Sequence, residues 1–298
     1  MISGTASSES PSLPSIPFEN QDDLSESFKL CISANDKHQI DPRNFFITFS
    51  PQPSLSRDHS VIGEVIHGKS ILRELESVKT DDNHSPTVPI QITDCGEWTQ
   101  GMPIPVYNAS YSDIGGDIYE EYPMDDTNFN QESTEEAFAV SDKIKESGTL
   151  LFKKGEKQQA RFKYRKSLRY VAEFIPDKDQ DPVNYEKFVD LKKKLYLNLG
   201  LVTLQLGDYS RCVDYCTYLL DMEEEEKVVS KQDKTKALFR KGSAYVSLKK
   251  YGDGVHSLKL ASELSPDDAS ITKALENAEK LVDQEKQKEK SKYSKFFK

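Results

Sequence analysis

Lys145, Lys236 and Arg240 are three cations, and Asn198 an amide, in a chain where 50 Asp and Glu outweigh 40 Lys and Arg for a formal charge of −10. Lys236 and Arg240 stand four apart, so on a helix they share one face, and Thr149 follows Lys145 at the same spacing. Ammonium and guanidinium groups that converge with an amide make a receptor for a carboxylate. Each charge-assisted hydrogen bond contributes about 1.5–3 kcal/mol, and the amide fixes orientation. Whether these five residues converge depends on the elements that carry them.

Four regions separate by composition along the 298 residues. Residues 1–16 are rich in Ser and Pro, bury nothing and read as a disordered lead-in. Residues 17–100 hold short apolar runs between turn signals: FFITF (Phe45 to Phe49), SVIGEVI (Ser60 to Ile66) and VPIQITDC (Val88 to Cys95) are expected strands. Between them, Lys69 to Val78 spaces Ile71, Leu72, Leu75 and Val78 like one face of a short helix. Residues 101–134 form an acidic linker: no Lys or Arg occurs from Thr99 to Asp142, and like-charge repulsion predicts a solvated spacer, with Tyr107, Tyr111, Tyr119 and Tyr122 available for partial docking. Residues 135–298 turn helical and repeat.

The repeat is carried by small residues where antiparallel helices would touch. Gly148 pairs with Ala160 and Ser167, Gly200 with Cys212 and Leu219, and Gly242 with Gly254 and Ala261, the last followed by Pro266. This resembles the tetratricopeptide (TPR) helix-pair repeat of about 34 residues, with the surplus length falling on the polar stretches FIPDKDQDPVN and EEEEKVVSKQDK. Three pairs are the usual minimum for a stack, because each buries its apolar face only against neighbours. The resemblance implies three pairs, a closing helix and a basic tail, KEKSKYSKFFK. Counted back from the repeat glycines, Lys145, Asn198 and Arg240 occupy equivalent turns of the first helices, which in a TPR stack line the concave face.

These positions resemble the clamp by which TPR co-chaperones hold the C-terminal Met-Glu-Glu-Val-Asp of heat shock protein 90. The family pattern is Lys-x3-Asn, Asn, then Lys-x3-Arg. Here it reads Lys145-x3-Thr149, Asn198 and Lys236-x3-Arg240. Thr149 in place of Asn keeps a donor with shorter reach. The resemblance implies the acidic C-terminus of heat shock protein 90 as partner, with the 70-kDa chaperone as the other candidate, and no cofactor.

The stretch from Lys29 to Leu72 resembles cyclophilins, the peptidyl-prolyl isomerases. Ala34-Asn35, Phe45-Phe46-Ile47-Thr48, Leu55, His59 and Gly63 follow the family's order, and Asp94-Cys95-Gly96 its closing strand. Joined to a TPR stack, the chain is similar to the large TPR-containing cyclophilins, in whose yeast forms YNAS (Tyr107 to Ser110), IGGD (Ile114 to Asp117) and SKFF (Ser294 to Phe297) also recur. The expected fold class is α+β: an incomplete cyclophilin-like β-barrel half followed by an all-α helical stack. The resemblance leaves Ala34, Asn35, Phe45, Leu55 and His59 as one side of a proline pocket. Lys37, Gln39, Asn44 and Ser54 replace family residues on its rim. About eighty residues supply half of an eight-stranded barrel, leaving unpaired edges. Either the half-barrel is a remnant or the sequence begins inside a longer protein.

Other signals exclude classes of function. No run of about 18 apolar residues is present to span a bilayer. The acidic balance disfavours generic nucleic-acid or anionic-membrane binding. Four scattered cysteines and no basic start with an apolar core imply a reducing compartment, cytosolic or nuclear, with the cytoplasm expected. The five histidines show no metal-ligand spacing. The basic aromatic tail reads as a solubilising end, with acidic partners or calmodulin as the alternative the resemblance offers.

Amide resonance sets a barrier of about 18–20 kcal/mol to prolyl rotation. The cyclophilin resemblance assigns its lowering to an arginine in a Phe-His-Arg segment upstream of Ala34-Asn35. In this chain the first arginine is Arg43, so no residue is assigned a catalytic role, with an active isomerase as the alternative reading. A protease-coupled assay on a short proline peptide is expected to show no catalysis above background. Clear turnover would contradict the reading.

Overall fold

The structure is a computed structural model and describes residues 2–5, 16–17, 24–34, 39–56, 59–102, 109–226 and 229–296. It divides into two compact units. One comprises residues 1–108 with 118–128, the other 109–117 with 129–298.

The first unit is a small antiparallel sheet built from β1 (Ile2–Thr5), β2 (Ile16–Pro17), β3 (Lys29–Ala34), β4 (Gln39–Ile47) and β5 (His59–Glu64), in the order β1-β4-β3-β5, with β2 also on β4. The ladder between β3 and β5 shifts register between Leu30 and Cys31, and burial along β5 departs from simple alternation. In β5, Ser60 and Val61 are buried while Ile62 is exposed. Leu24, Cys31, Phe46 and Val61 form the core, with Leu55 packed against it. Helix α1 (Lys69–Glu76) begins at Gly68, whose φ of 81° lies in the left-handed region that glycine tolerates. Leu72, Leu75 and Val78 are half-buried as its spacing predicts, whereas Ile71 is exposed.

The expected strand over Val88–Cys95 does not form. A strand exists by pairing, and among the described residues nothing pairs with this stretch; Val88, Ile90 and Ile92 all stand exposed. The acidic segment departs from expectation in the opposite direction. Its described part is packed rather than solvated, with Asp117, Glu120, Asp125 and Asp126 all buried. On the first unit, Glu120 accepts from the Gly68 amide at 2.6 Å, at the start of α1 where the helix dipole favours a carboxylate. Asp125 accepts two bonds from the Arg73 guanidinium, at 3.1 and 2.8 Å. That guanidinium also lies 5.0 Å from the Phe28 ring centroid and 5.7 Å from that of Tyr122. The charge that predicts solvation is neutralised pair by pair.

The second unit is a helical stack. Its pairs are α2 (Thr134–Lys153) with α3 (Lys157–Phe174), α4 (Pro182–Gln205) with α5 (Tyr209–Glu226), and α6 (Lys231–Ser247) with α7 (Tyr251–Leu264), closed by α8 (Ala269–Phe296). Each first helix starts at a side-chain cap. Ser133, Asp181 and Ser230 accept from the amides of Glu136, Asn184 and Asp233, satisfying a donor the helix cannot. The predicted contact glycines sit where a methyl group would collide. A Cβ on Gly148 would meet Tyr164 at 2.8 Å, on Gly200 the Cys216 sulfur at 3.0 Å, and on Gly242 the Leu258 Cγ at 2.7 Å. Ala160, Cys212 and Ala261 are fully buried opposite them. Within this unit, Asp117 is enclosed between the Lys163 and Lys166 ammonium groups, the latter at 2.7 Å. Two buried cations sharing one buried carboxylate are tolerable because each charge is paired.

Just past the end of each first helix, one residue enters the left-handed region: Gly155 at φ 86°, Gly207 at φ 77° and, in the third repeat, Lys249 at φ 61°. A side chain there opposes the conformation that glycine adopts freely. Lys249→Gly is expected to stabilise the helical unit by about 0.5–1 kcal/mol, measured by urea unfolding followed by helical circular dichroism. A loss of stability would contradict this.

Candidate peptide-binding site

The first helices lie side by side, α2 against α4 and α4 against α6, and the residues singled out for carboxylate binding sit on these three. Lys145 is buried on α2, where its ammonium meets Asp142 at 2.6 Å and Glu146 at 2.8 Å. Burial pulls its pKa down, but the two carboxylates outweigh that and the net shift is upward. Thr149 is half-buried, and its hydroxyl donates to the Lys145 carbonyl at 3.1 Å. The donor expected to replace the family's asparagine is thus engaged within its own helix. Asn198 is half-buried on α4.

Lys236 is exposed on α6 and 3.3 Å from Asp233. Arg240, one turn on, is half-buried and donates to the Leu197 carbonyl at 2.7 Å, directly beside Asn198 along α4. Burial lowers its pKa, partly offset by nearby Cys216, Cys212 and Asp233. A guanidinium carries five donors in a fixed plane, so holding one on a neighbouring helix orients the rest. Behind it, the Cys212 thiol donates to the Gly200 carbonyl at 3.2 Å. Both Cys212 and Cys216 are buried, as a packing role requires.

One residue escaped the sequence reading. Lys194 stands four before Asn198, the spacing that joins Lys145 to Thr149 and Lys236 to Arg240, so each first helix carries a lysine one turn ahead of its polar residue. Lys194 is exposed and 2.7 Å from Asp190. The signal lay in repeat register, hidden inside the run Lys192-Lys193-Lys194.

The residues assigned to a proline pocket belong to the first unit. Ala34 ends β3, and Asn35 lies outside the described residues, as do Lys37 and the side chains of Gln39 and Asn44. Leu55 is half-buried, and its carbonyl lies 2.8 Å from His59 Nδ1. The aromatic partner of His59 is Phe46, at 4.9 Å between ring centroids and nearly perpendicular, not Phe45. Strand alternation is the reason: Phe46 points into the core cluster, and Phe45, its neighbour on β4, takes the other face.

Comparison with known proteins places both units. Residues 3–97 match the family described as cyclophilin type peptidyl-prolyl cis-trans isomerase/CLD, and residues 235–268 match a tetratricopeptide repeat. The chain is 40% identical over 279 residues to peptidyl-prolyl cis-trans isomerase CYP7 of Saccharomyces cerevisiae, spanning 94% of this chain and 70% of that protein. It is 34% identical over 253 residues to peptidyl-prolyl cis-trans isomerase D of Kluyveromyces lactis, spanning 85% of this chain and 67% of that one. Among solved structures, the Hsp90 co-chaperone Cns1 from Saccharomyces cerevisiae overlaps 54% of this chain and 45% of its own, at 22% identity and a TM-score of 0.41. The chain belongs to the TPR-containing cyclophilins. No helix among the described residues is long and apolar enough to cross a membrane.

Burial also fixes thiol reactivity. Cys95 is exposed while Cys31, Cys212 and Cys216 are buried, and an occluded thiol reacts only after local opening. Brief treatment of the native protein with iodoacetamide is expected to add one label, at Cys95, and four after unfolding. Rapid native labelling of Cys212 would show that the site behind Arg240 is not packed as described.

Proposed function

We propose that the helical unit is a co-chaperone module that receives the acidic, free C-terminus of heat shock protein 90 and so assists protein folding. The observation that carries this reading is the Arg240 guanidinium held on the Leu197 carbonyl beside Asn198. It ties a donor-rich cation of α6 to α4 at the residue next to Asn198 in sequence. Lys236 extends that array along α6, and Lys145 supplies a further ammonium from α2. A terminal residue with a main-chain and a side-chain carboxylate matches such an array, because two anions can each meet a separate cation.

Family membership supports a second reading, prolyl isomerisation by the first unit. The half-buried side chains of Leu55 and His59 would line one side of a proline site, with Phe46 behind them in the core, and among the contacts described for these three residues none supplies a donor aimed at a prolyl nitrogen.

The test is binding of a labelled Met-Glu-Glu-Val-Asp peptide to the full chain by fluorescence anisotropy. Binding is expected to weaken as salt rises, by screening. Lys236→Ala and Arg240→Ala are each expected to lower affinity about tenfold or more, the loss of a charge-assisted bond of about 1.5–3 kcal/mol. Affinity indifferent to both substitutions would refute the clamp.

A further inference from the structure

The three groove lysines share a feature that the family pattern does not describe. Each has an aspartate of its own helix one turn upstream: Asp142 on Lys145 at 2.6 Å, Asp190 on Lys194 at 2.7 Å and Asp233 on Lys236 at 3.3 Å. The three pairs differ in what else holds the aspartate. Asp233 accepts from the Ser230 hydroxyl at the cap of α6, and Asp190 is shared with Lys193 at 3.2 Å. Asp142 faces Lys145, which is the buried member of the set with 8% of its surface exposed. Glu146 reaches the same ammonium from the other side at 2.8 Å.

We propose that Asp142 is a specificity-determining residue: it occupies the Lys145 ammonium as a built-in competitor, so that a ligand gains this cation only by displacing a carboxylate of the chain itself. The proposal rests on the receptor reading above. An intramolecular carboxylate acts at an effective concentration of the order of millimolar or more, far above a dilute peptide. A ligand with a single carboxylate competes poorly against it. A ligand already anchored at Arg240 and Lys236 presents its second carboxylate at comparable effective concentration, and exchange becomes nearly even. Asp142 therefore weakens all acidic ligands and penalises singly charged termini most, which is how an intrinsically sticky cationic surface is made selective.

The test compares a pentapeptide ending in a free acidic residue with the same peptide amidated at its C-terminus, using the full chain. Asp142→Asn is expected to bind the free peptide about 3- to 10-fold more tightly, and to gain more for the amidated one, so that their affinity ratio falls at least threefold. Glu146→Gln, which removes the second carboxylate at the same ammonium, is expected to shift both affinities in the same direction. It decides the matter if Asp142→Asn lowers helical content. Asp179→Asn, an equal charge change in the exposed α3–α4 loop, is expected to leave the ratio unchanged. Unaltered or weaker binding by a folded Asp142→Asn, or an equal change in Asp179→Asn, would overturn the proposal while leaving the receptor intact. A wild-type chain that fails to bind the free peptide would overturn both.

Discussion

Three helix pairs approach so closely that their contact glycines have no room for a methyl group. A Cβ on Gly242 would lie only 2.7 Å from Leu258, one on Gly148 2.8 Å from Tyr164, and one on Gly200 3.0 Å from the Cys216 sulfur, so the side chains of each second helix pack directly onto the backbone of its first. Everything in the helical unit follows from that restriction. Leu191, Leu195 and Leu199 on α4, and Ala137, Ile144 and Leu151 on α2, are buried, and of the candidate site residues Lys145 is buried with them, Thr149, Asn198 and Arg240 are half-buried and Lys236 is exposed.

Among the described residues, the buried charges of Asp117, Asp125, Lys145, Lys163 and Lys166 are paired with neighbours of opposite sign, in a chain of net charge −10. Four of the acidic residues of 109–128, Asp117, Glu120, Asp125 and Asp126, are buried rather than left in solvent. Asp117 is spent on Lys163 and Lys166, Asp125 on Arg73, and Glu120 on the start of α1. The same pairing recurs on the first helices, where Lys145, Lys194 and Lys236 each have an aspartate within salt-bridge distance. Buried charges are tolerable when paired, and pairing within one helix turn costs little entropy. Selectivity for a ligand then lies in exchange between one set of ion pairs and another, rather than in filling an empty positive pocket.

The helical repeat was legible because its physics is periodic: glycines and small residues recur where paired helices touch, as Gly148, Gly200 and Gly242 show. Lys145, Asn198 and Arg240 could be found by counting from those glycines, and Lys236 by its spacing of four from Arg240. Lys194 could have been found the same way, but a run of three lysines masks the register. The acidic segment misled because composition reports charge, whereas burial depends on partners such as Arg73, Lys163 and Lys166, which lie 46 to 52 residues away in sequence. Thr149 misled because a threonine hydroxyl on a helix has a carbonyl one turn back to satisfy it. Val88–Cys95 has strand composition but no strand to pair with among the described residues, and pairing is non-local. Phe45 and Phe46 are adjacent and alike; only the sheet register tells which of them meets His59.

The most direct measurement of the central claim is a set of side-chain amide and guanidinium spectra of the full chain, recorded as an acidic C-terminal pentapeptide is added. The account predicts that the Asn198 side-chain NH2 and Arg240 Nε–H resonances shift together and saturate with the peptide. Resonances of the first unit, including the His59 ring, should stay in place. Saturating shifts confined to the first unit, with Asn198 and Arg240 unmoved, would contradict it.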